Sequence, residues 1–126
     1  MHGYIFFEIH ADDVQRAANF YQSVFGWRFT RNLAAPVEYM DIETGRSRAG
    51  LLKRPVQPPP PGHDANAFVC SIEVDNFDVV AGRIVANGGQ VALKKFPVPG
   101  RCWQGYFIDT EGNTFGIFEV DEKAGI

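Results

Sequence analysis

Phe6 to Trp27 reads FFEIHADDVQRAANFYQSVFGW, and its periodicities decide the fold. Gly3 to Ile9 is rich in aromatic and β-branched residues, the composition of a strand. Asp12 and Asp13 follow, side chains suited to the free N–H groups at a helix start. From Val14 the apolar positions are Val14, Ala17, Ala18, Tyr21, Val24 and Phe25, the spacing of one helix face. Gly26 then ends the helix. Trp27–Arg31, Glu38–Glu43 and Arg48–Arg54 read as three more strands, separated by turn signals at Ala35-Pro36 and Thr44-Gly45.

The same order returns further along the chain. Ala67–Val74 reads as a strand and Asp75-Asn76 as a cap. Phe77, Val80, Ala81, Ile84 and Val85 form a second helical stripe, closed by Gly88-Gly89. Gln90–Lys95, Trp103–Asp109 and Thr114–Val120 are the strands that follow, the last two joined by a tight turn at Thr110–Asn113. Gly26 and Gly89 stand 63 residues apart, as do Ile9 and Ile72, and Asp12 and Asp75. One internal duplication accounts for all three spacings. The expected fold is α+β, with module 3–54 and module 67–121 making a single domain over 3–121. Residues 55–66 are the connector, whose prolines Pro58 to Pro61 favour an extended spacer and cannot enter a sheet interior.

Two stretches go beyond patterning. The opening strand and helix, with Asp13, Phe20-Tyr21 and Phe25-Gly26-Trp27, resemble the start of the vicinal oxygen chelate superfamily, which includes glyoxalases, bleomycin resistance proteins and extradiol dioxygenases. Asp109-Thr110-Glu111-Gly112-Asn113-Thr114-Phe115-Gly116-Ile117-Phe118-Glu119 is similar to the superfamily's closing hairpin, with Thr110 where proline is usual. The resemblance implies two βαβββ modules forming a paired open β-barrel around a cavity, a small-molecule ligand, and a homodimer. It leaves the chemistry open, because this fold serves lyases, isomerases, dioxygenases and drug-sequestering proteins alike.

In metal-dependent members four cavity slots carry His and Glu, donors that suit a divalent cation. By the resemblance these slots fall on Phe6, Lys53, Val69 and Glu119, of which only Glu119 is a competent ligand. No metal cofactor is therefore expected; in its place stands either a Glu119–Lys53 ion pair or the same two groups unpaired at a solvated cavity mouth. His10 is expected beyond the strand end and His63 lies in the connector. Phe6, Tyr39, Lys53, Arg101, Trp103, Tyr106 and Glu119 are the candidate ligand-binding residues, with Phe115 and Ile117 beside them. The loop Phe96–Arg101 is a candidate flap. Glu119 and Glu8 are the candidate acid–base pair. The favoured expectation is a metal-free binder of a small, partly aromatic molecule. The alternatives are a metal-dependent or Glu-based lyase, isomerase or dioxygenase, and a protein-interaction module.

Composition narrows the field. The chain has 126 residues, 45% of them hydrophobic with eleven Phe, enough for one core. Its net charge is −3 with basic residues scattered, which argues against nucleic acid and anionic membrane as partners. No apolar run reaches the roughly 20 residues of a membrane span. The N-terminus lacks signal-peptide layout. Cys70 and Cys102 form no CxxC pair and suit a reducing cytoplasm.

Overall fold

The computed structural model describes residues 6–55 and 68–126. The first half runs β1 (Phe7–Ala11), α1 (Val14–Phe25), β2 (Arg28–Arg31), β3 (Tyr39–Glu43) and β4 (Arg48–Lys53). The second runs β5 (Ser71–Glu73), α2 (Phe77–Ala86), β6 (Gln90–Val98), β7 (Cys102–Ile108) and β8 (Thr114–Val120). Two four-stranded sheets result, ordered β1-β4-β3-β2 and β5-β8-β7-β6. β1 and β5 run parallel to β4 and β8, and the other pairings are antiparallel. The expected duplication is thus present as two paired modules. No helix among the described residues is long and apolar enough to cross a membrane.

Local chemistry accounts for both helices. The Asp13 carboxylate accepts the Arg16 N–H and starts α1, and Gly26, at φ 74°, ends it in the left-handed conformation. Asn76 plays the capping part for α2, accepting the Val79 N–H at 3.1 Å. α1 buries Val14, Ala17, Ala18, Phe20, Tyr21 and Val24 against the sheets.

Four expectations need correction or trimming. Residues 3–5 of the first strand, 56–66 of the connector with His63, and residue 67 of the strand after it lie outside the described residues. β1 extends through His10, whose backbone pairs with Leu52, so His10 is inside the strand and not beyond it. β5 is confined to Ser71–Glu73, with Phe68–Cys70 preceding it outside any strand. Phe96–Val98 belongs to β6 and is not a flap; Pro97 is tolerated because β6 is an edge strand. The remaining turn is tied down, with the Gly100 N–H donating to the Ala124 carbonyl at 2.9 Å.

Each sheet has a helix-covered face and an open face. Phe7, Ile9, Ala49, Leu51, Met40 and Ile42 alternate onto the covered side of the first sheet. Phe115, Ile117 and Phe107 do so in the second. One continuous core joins the modules. At the junction the rings of Tyr21 and Trp27 stack with centroids 5.5 Å apart, Phe25 stacks on Trp27 at 4.9 Å, and Phe20 meets Phe115 edge-on at 6.2 Å.

Candidate functional site

The open faces carry the first polar constellation. In the first sheet Glu8, Gly50 and Asp41 share one row, and Tyr39 sits two residues from Asp41 on the same face. A side chain at residue 50 would overlap the Tyr39 ring, so glycine there lets the tyrosine cross β4. Its hydroxyl donates to Glu8 Oε2 at 3.2 Å. Burial, then the bond to Glu8, raise the Tyr39 hydroxyl above the usual phenol value, keeping it a donor. The second sheet repeats this device in neutral form. Gln104 crosses over Gly116, and its Nε2 donates to Ser71 Oγ at 3.0 Å. Gly50→Ala is expected to displace Tyr39 and free Glu8 with little loss of stability, because the displaced group is a side-chain tip. A crystal structure of the variant checks this; an unmoved Tyr39 would contradict it.

The second constellation is a clamp between the modules, built by the β7–β8 turn. Glu111 has a fully buried side chain and accepts from Arg16 Nε at 2.7 Å, Arg16 Nη2 at 3.0 Å, the Asp13 N–H at 3.0 Å and Thr110 Oγ1 at 2.8 Å. Burial alone would raise its pKa, but Arg16, the Asp13 N–H and Thr110 outweigh it and hold the carboxyl at about 2. Beside it the Tyr21 hydroxyl donates to Asp109 Oδ2 at 2.6 Å. Burial first, and the adjacent Asp109 second, push that hydroxyl well above its ordinary pKa. Arg54 Nη2 donates to the Glu111 carbonyl at 2.9 Å, and Asn113 Nδ2 to the His10 carbonyl at 2.8 Å.

Between the modules lies a cleft of about 1530 Å³, lined by residues of both β1 and β5. Tyr21, Val24, Phe25 and Trp27 form one apolar wall, and Val79 and Val80 of α2 face it. Glu8, His10, Arg46, Glu73 and Arg83 are among the charged or titratable residues lining it. This mixture of apolar wall and few polar groups is the usual make-up of a small-molecule site.

The residues expected to share one cavity are divided by the fold. Glu8 and Tyr39 come together on the open face, and Glu8 also lines the cleft. Phe6, half exposed, immediately precedes β1. Tyr106 lies on the open face of the second sheet, stacked on Phe96 at 6.2 Å. Glu119 and Trp103 pair across β7 and β8 on the helix-covered side. Glu119 Oε1 accepts the Phe77 N–H at 2.7 Å and caps α2. Trp103 Nε1 donates to Asp121 at 3.0 Å, and its ring lies 4.9 Å from Lys95 Nζ. Lys53 donates to the Asp12 carbonyl, so the Glu119–Lys53 pair is not formed. Arg101 lies in the β6–β7 turn. Ile117 is core, and Phe115 alone of the two lines the cleft.

The open-face positions of β4 and β8 are Arg48, Gly50, Leu52, Thr114, Gly116, Phe118 and Val120, none of them a His, Cys, Asp or Glu. Among the described residues no three His, Cys, Asp or Glu side chains gather as a metal would need. Sequence reasoning missed Glu111, Arg16, Tyr21 and Asp109. The signal for the last was present, since Asp109 opens a turn whose glycine and asparagine suit a carboxylate accepting backbone N–H groups.

The paired βαβββ modules are the fold of the glyoxalase and bleomycin-resistance class. The model of the family described as "Bleomycin resistance protein-like N-terminal" matches residues 4–45. A "Glyoxylase-like domain-containing protein" of Didymella fabae is 32% identical over 129 residues, covering 93% of this chain and 94% of that protein. CFP32 of Mycobacterium tuberculosis, provisionally named a glyoxylase, is 26% identical over 121 residues. That match covers 94% of this chain and 46% of CFP32, so the chain spans about half the length of this relative. A solved glyoxalase/bleomycin resistance protein/dioxygenase family enzyme from Burkholderia phytofirmans superposes with a TM-score of 0.74 at 20% identity, covering 91% of this chain and 97% of that one. The chain belongs to the glyoxalase/bleomycin-resistance family of the vicinal oxygen chelate superfamily.

Proposed function

We propose that this chain binds a small, partly aromatic organic molecule in the cleft between its modules, without the metal used by other members of its family. The observation that carries this reading is the stacked Trp27–Tyr21–Phe25 wall on one side of a cleft large enough for a drug-sized ligand. The donor set supports the metal-free part: Phe6 and Val69 have no lone pair, Lys53 is cationic, and Glu119 is committed to α2. A second copy of the chain is the proposed partner, set against the open sheet faces. The thiols of Cys70 and Cys102 suit a reducing cytoplasm.

Trp27 and Trp103 are the two tryptophans, and only Trp27 lines the cleft. In a Trp103→Phe background, ligands that raise Tm in a thermal-shift screen are expected to change Trp27 emission. Saturation at about 100 times Kd adds roughly 2.7 kcal/mol of stability. Stabilising ligands that leave Trp27 unaffected would place the site elsewhere. Elemental analysis after exposure to nickel, zinc, manganese and iron(II) is expected to find far less than one metal per chain; one per chain overturns the metal-free reading.

One observation favours a second reading, metal-independent acid–base catalysis: Glu8 is exposed at the cleft with the Tyr39 hydroxyl as its hydrogen-bond partner. On that reading Glu8→Gln abolishes turnover and leaves ligand binding in place.

A further inference from the structure

The two modules are related by an internal duplication, yet their junction is asymmetric. The β7–β8 turn and the β3–β4 turn are counterparts. The Asp109 N–H donates to the Asn113 carbonyl at 2.8 Å, and the Thr44 N–H to the Ser47 carbonyl at 3.1 Å. Asp109 Oδ1 accepts the Asn113 N–H, and Thr44 Oγ1 the Ser47 N–H, both at 2.9 Å. The first turn carries Glu111 into α1. The second is one residue shorter and carries Gly45-Arg46 in its place. The spacing of 63 that relates the helices puts Val79 where Arg16 stands and Ile84 where Tyr21 stands. The two α1 side chains of the clamp are therefore replaced by apolar residues at the second corner. The cleft reaches this corner, where Thr44, Arg46, Ser47, Asn76, Val79, Val80 and Arg83 line it, and it extends to Arg54, Glu111 and Asn113 of the clamp.

The α2 residues in that lining recur at helical spacing, so Arg83 stands at the end of the Val79–Val80 stripe. Among the described residues neither Arg46 nor Arg83 pairs its guanidinium with a carboxylate. Of the other charged groups, Arg54 and Glu111 are committed to the clamp. Glu8 and Glu73 enter from β1 and β5, and Asp75 from the segment before α2. On the walls given by the two helices and the 44–47 turn, the charges are the two arginines. A guanidinium beside an apolar wall suits a carboxylate on an apolar body.

We propose that the cleft ligand is an aromatic or apolar carboxylate, its anionic end received by Arg46 and Arg83. At this corner the ligand supplies the carboxylate that Glu111 supplies at the other. The inference rests on the reading of the cleft as the ligand site.

Three probes with one ring system test it by calorimetric titration of the full chain: 2-naphthoate, 2-naphthylmethanol and 2-naphthylmethylamine. The carboxylate is expected to bind at least about tenfold more tightly than the alcohol, and less tightly as salt is raised. Arg46→Gln and Arg83→Gln are each expected to remove most of that advantage while leaving alcohol binding unchanged. Both residues are exposed, and the alcohol reports that the cleft is intact. Equal affinity for acid and alcohol, a preference for the amine, or an advantage that survives both substitutions overturns the carboxylate inference and leaves the cleft reading standing. If none of the three binds, both readings fall together.

Discussion

Glu111→Ala is expected to cost about 3 kcal/mol of folding free energy, the low end for breaking a buried ion pair. Removing this carboxylate takes the acceptor from Arg16, from the Asp13 N–H at the start of α1, and from Thr110. The Arg16 side chain is 52% exposed and can turn to water, which keeps the cost at the low end. For a chain of this size the loss corresponds to a fall of roughly 10 °C in Tm. The pH dependence has a definite sign. The folded carboxyl titrates at about 2 against an ordinary 4.5, so its contribution is complete above about pH 4.5 and fades as pH falls toward 2. Urea unfolding at pH 7, 4 and 3 should show this loss in the native chain, and a flatter profile in Glu111→Gln. An alanine variant as stable as the native chain would show that the clamp contributes nothing.

Asp109→Ala is expected to cost more, about 4 kcal/mol. It orphans the Tyr21 hydroxyl together with the N–H groups of Glu111 and Asn113, all held by one carboxylate. Tyr21→Phe alone loses one bond to a charged acceptor, about 2 kcal/mol. The double variant is expected to be little worse than Asp109→Ala, because the buried hydroxyl that lost its acceptor is gone. Chemical denaturation of the four proteins gives that coupling directly. Additive losses would mean that the two groups do not act on one another. Both substitutions lie at the seam where the modules meet, so a lowered m-value would further indicate that the halves unfold separately.

Much of the fold was legible because its signals are local. The α1 stripe from Val14 to Phe25, the cap at Asp13 and the stop at Gly26 lie within one short stretch and act through nearest turns. β8 runs from Thr114 to Val120, the bounds expected from the sequence. The duplication was legible for the same reason, since two copies of one local pattern sit at a constant spacing. β6 continues past Lys95 to Val98, through Pro97, which a sheet edge tolerates.

The site was legible only in part. Glu8 and Tyr39 were singled out and do meet, but the glycine at 50 that lets them meet becomes meaningful only when three strands lie side by side. Glu119 was assigned to a cavity, although it shares parity with Phe115 and Ile117. β8 is apolar on both faces, with Gly116 and Phe118 alternating against them, so periodicity alone does not say which face a helix covers.

The sequence by itself determined the element types, their order, the repeat and the caps, because backbone propensity and periodicity act over a few residues. Only the tertiary structure decided which sheet faces are covered, that Glu111 reaches Arg16 across 95 positions of chain, and that the equivalent corner has no such clamp and lines the cleft. Those outcomes depend on how two folded modules dock, and docking is set by whole packed surfaces, not by any stretch of neighbouring residues.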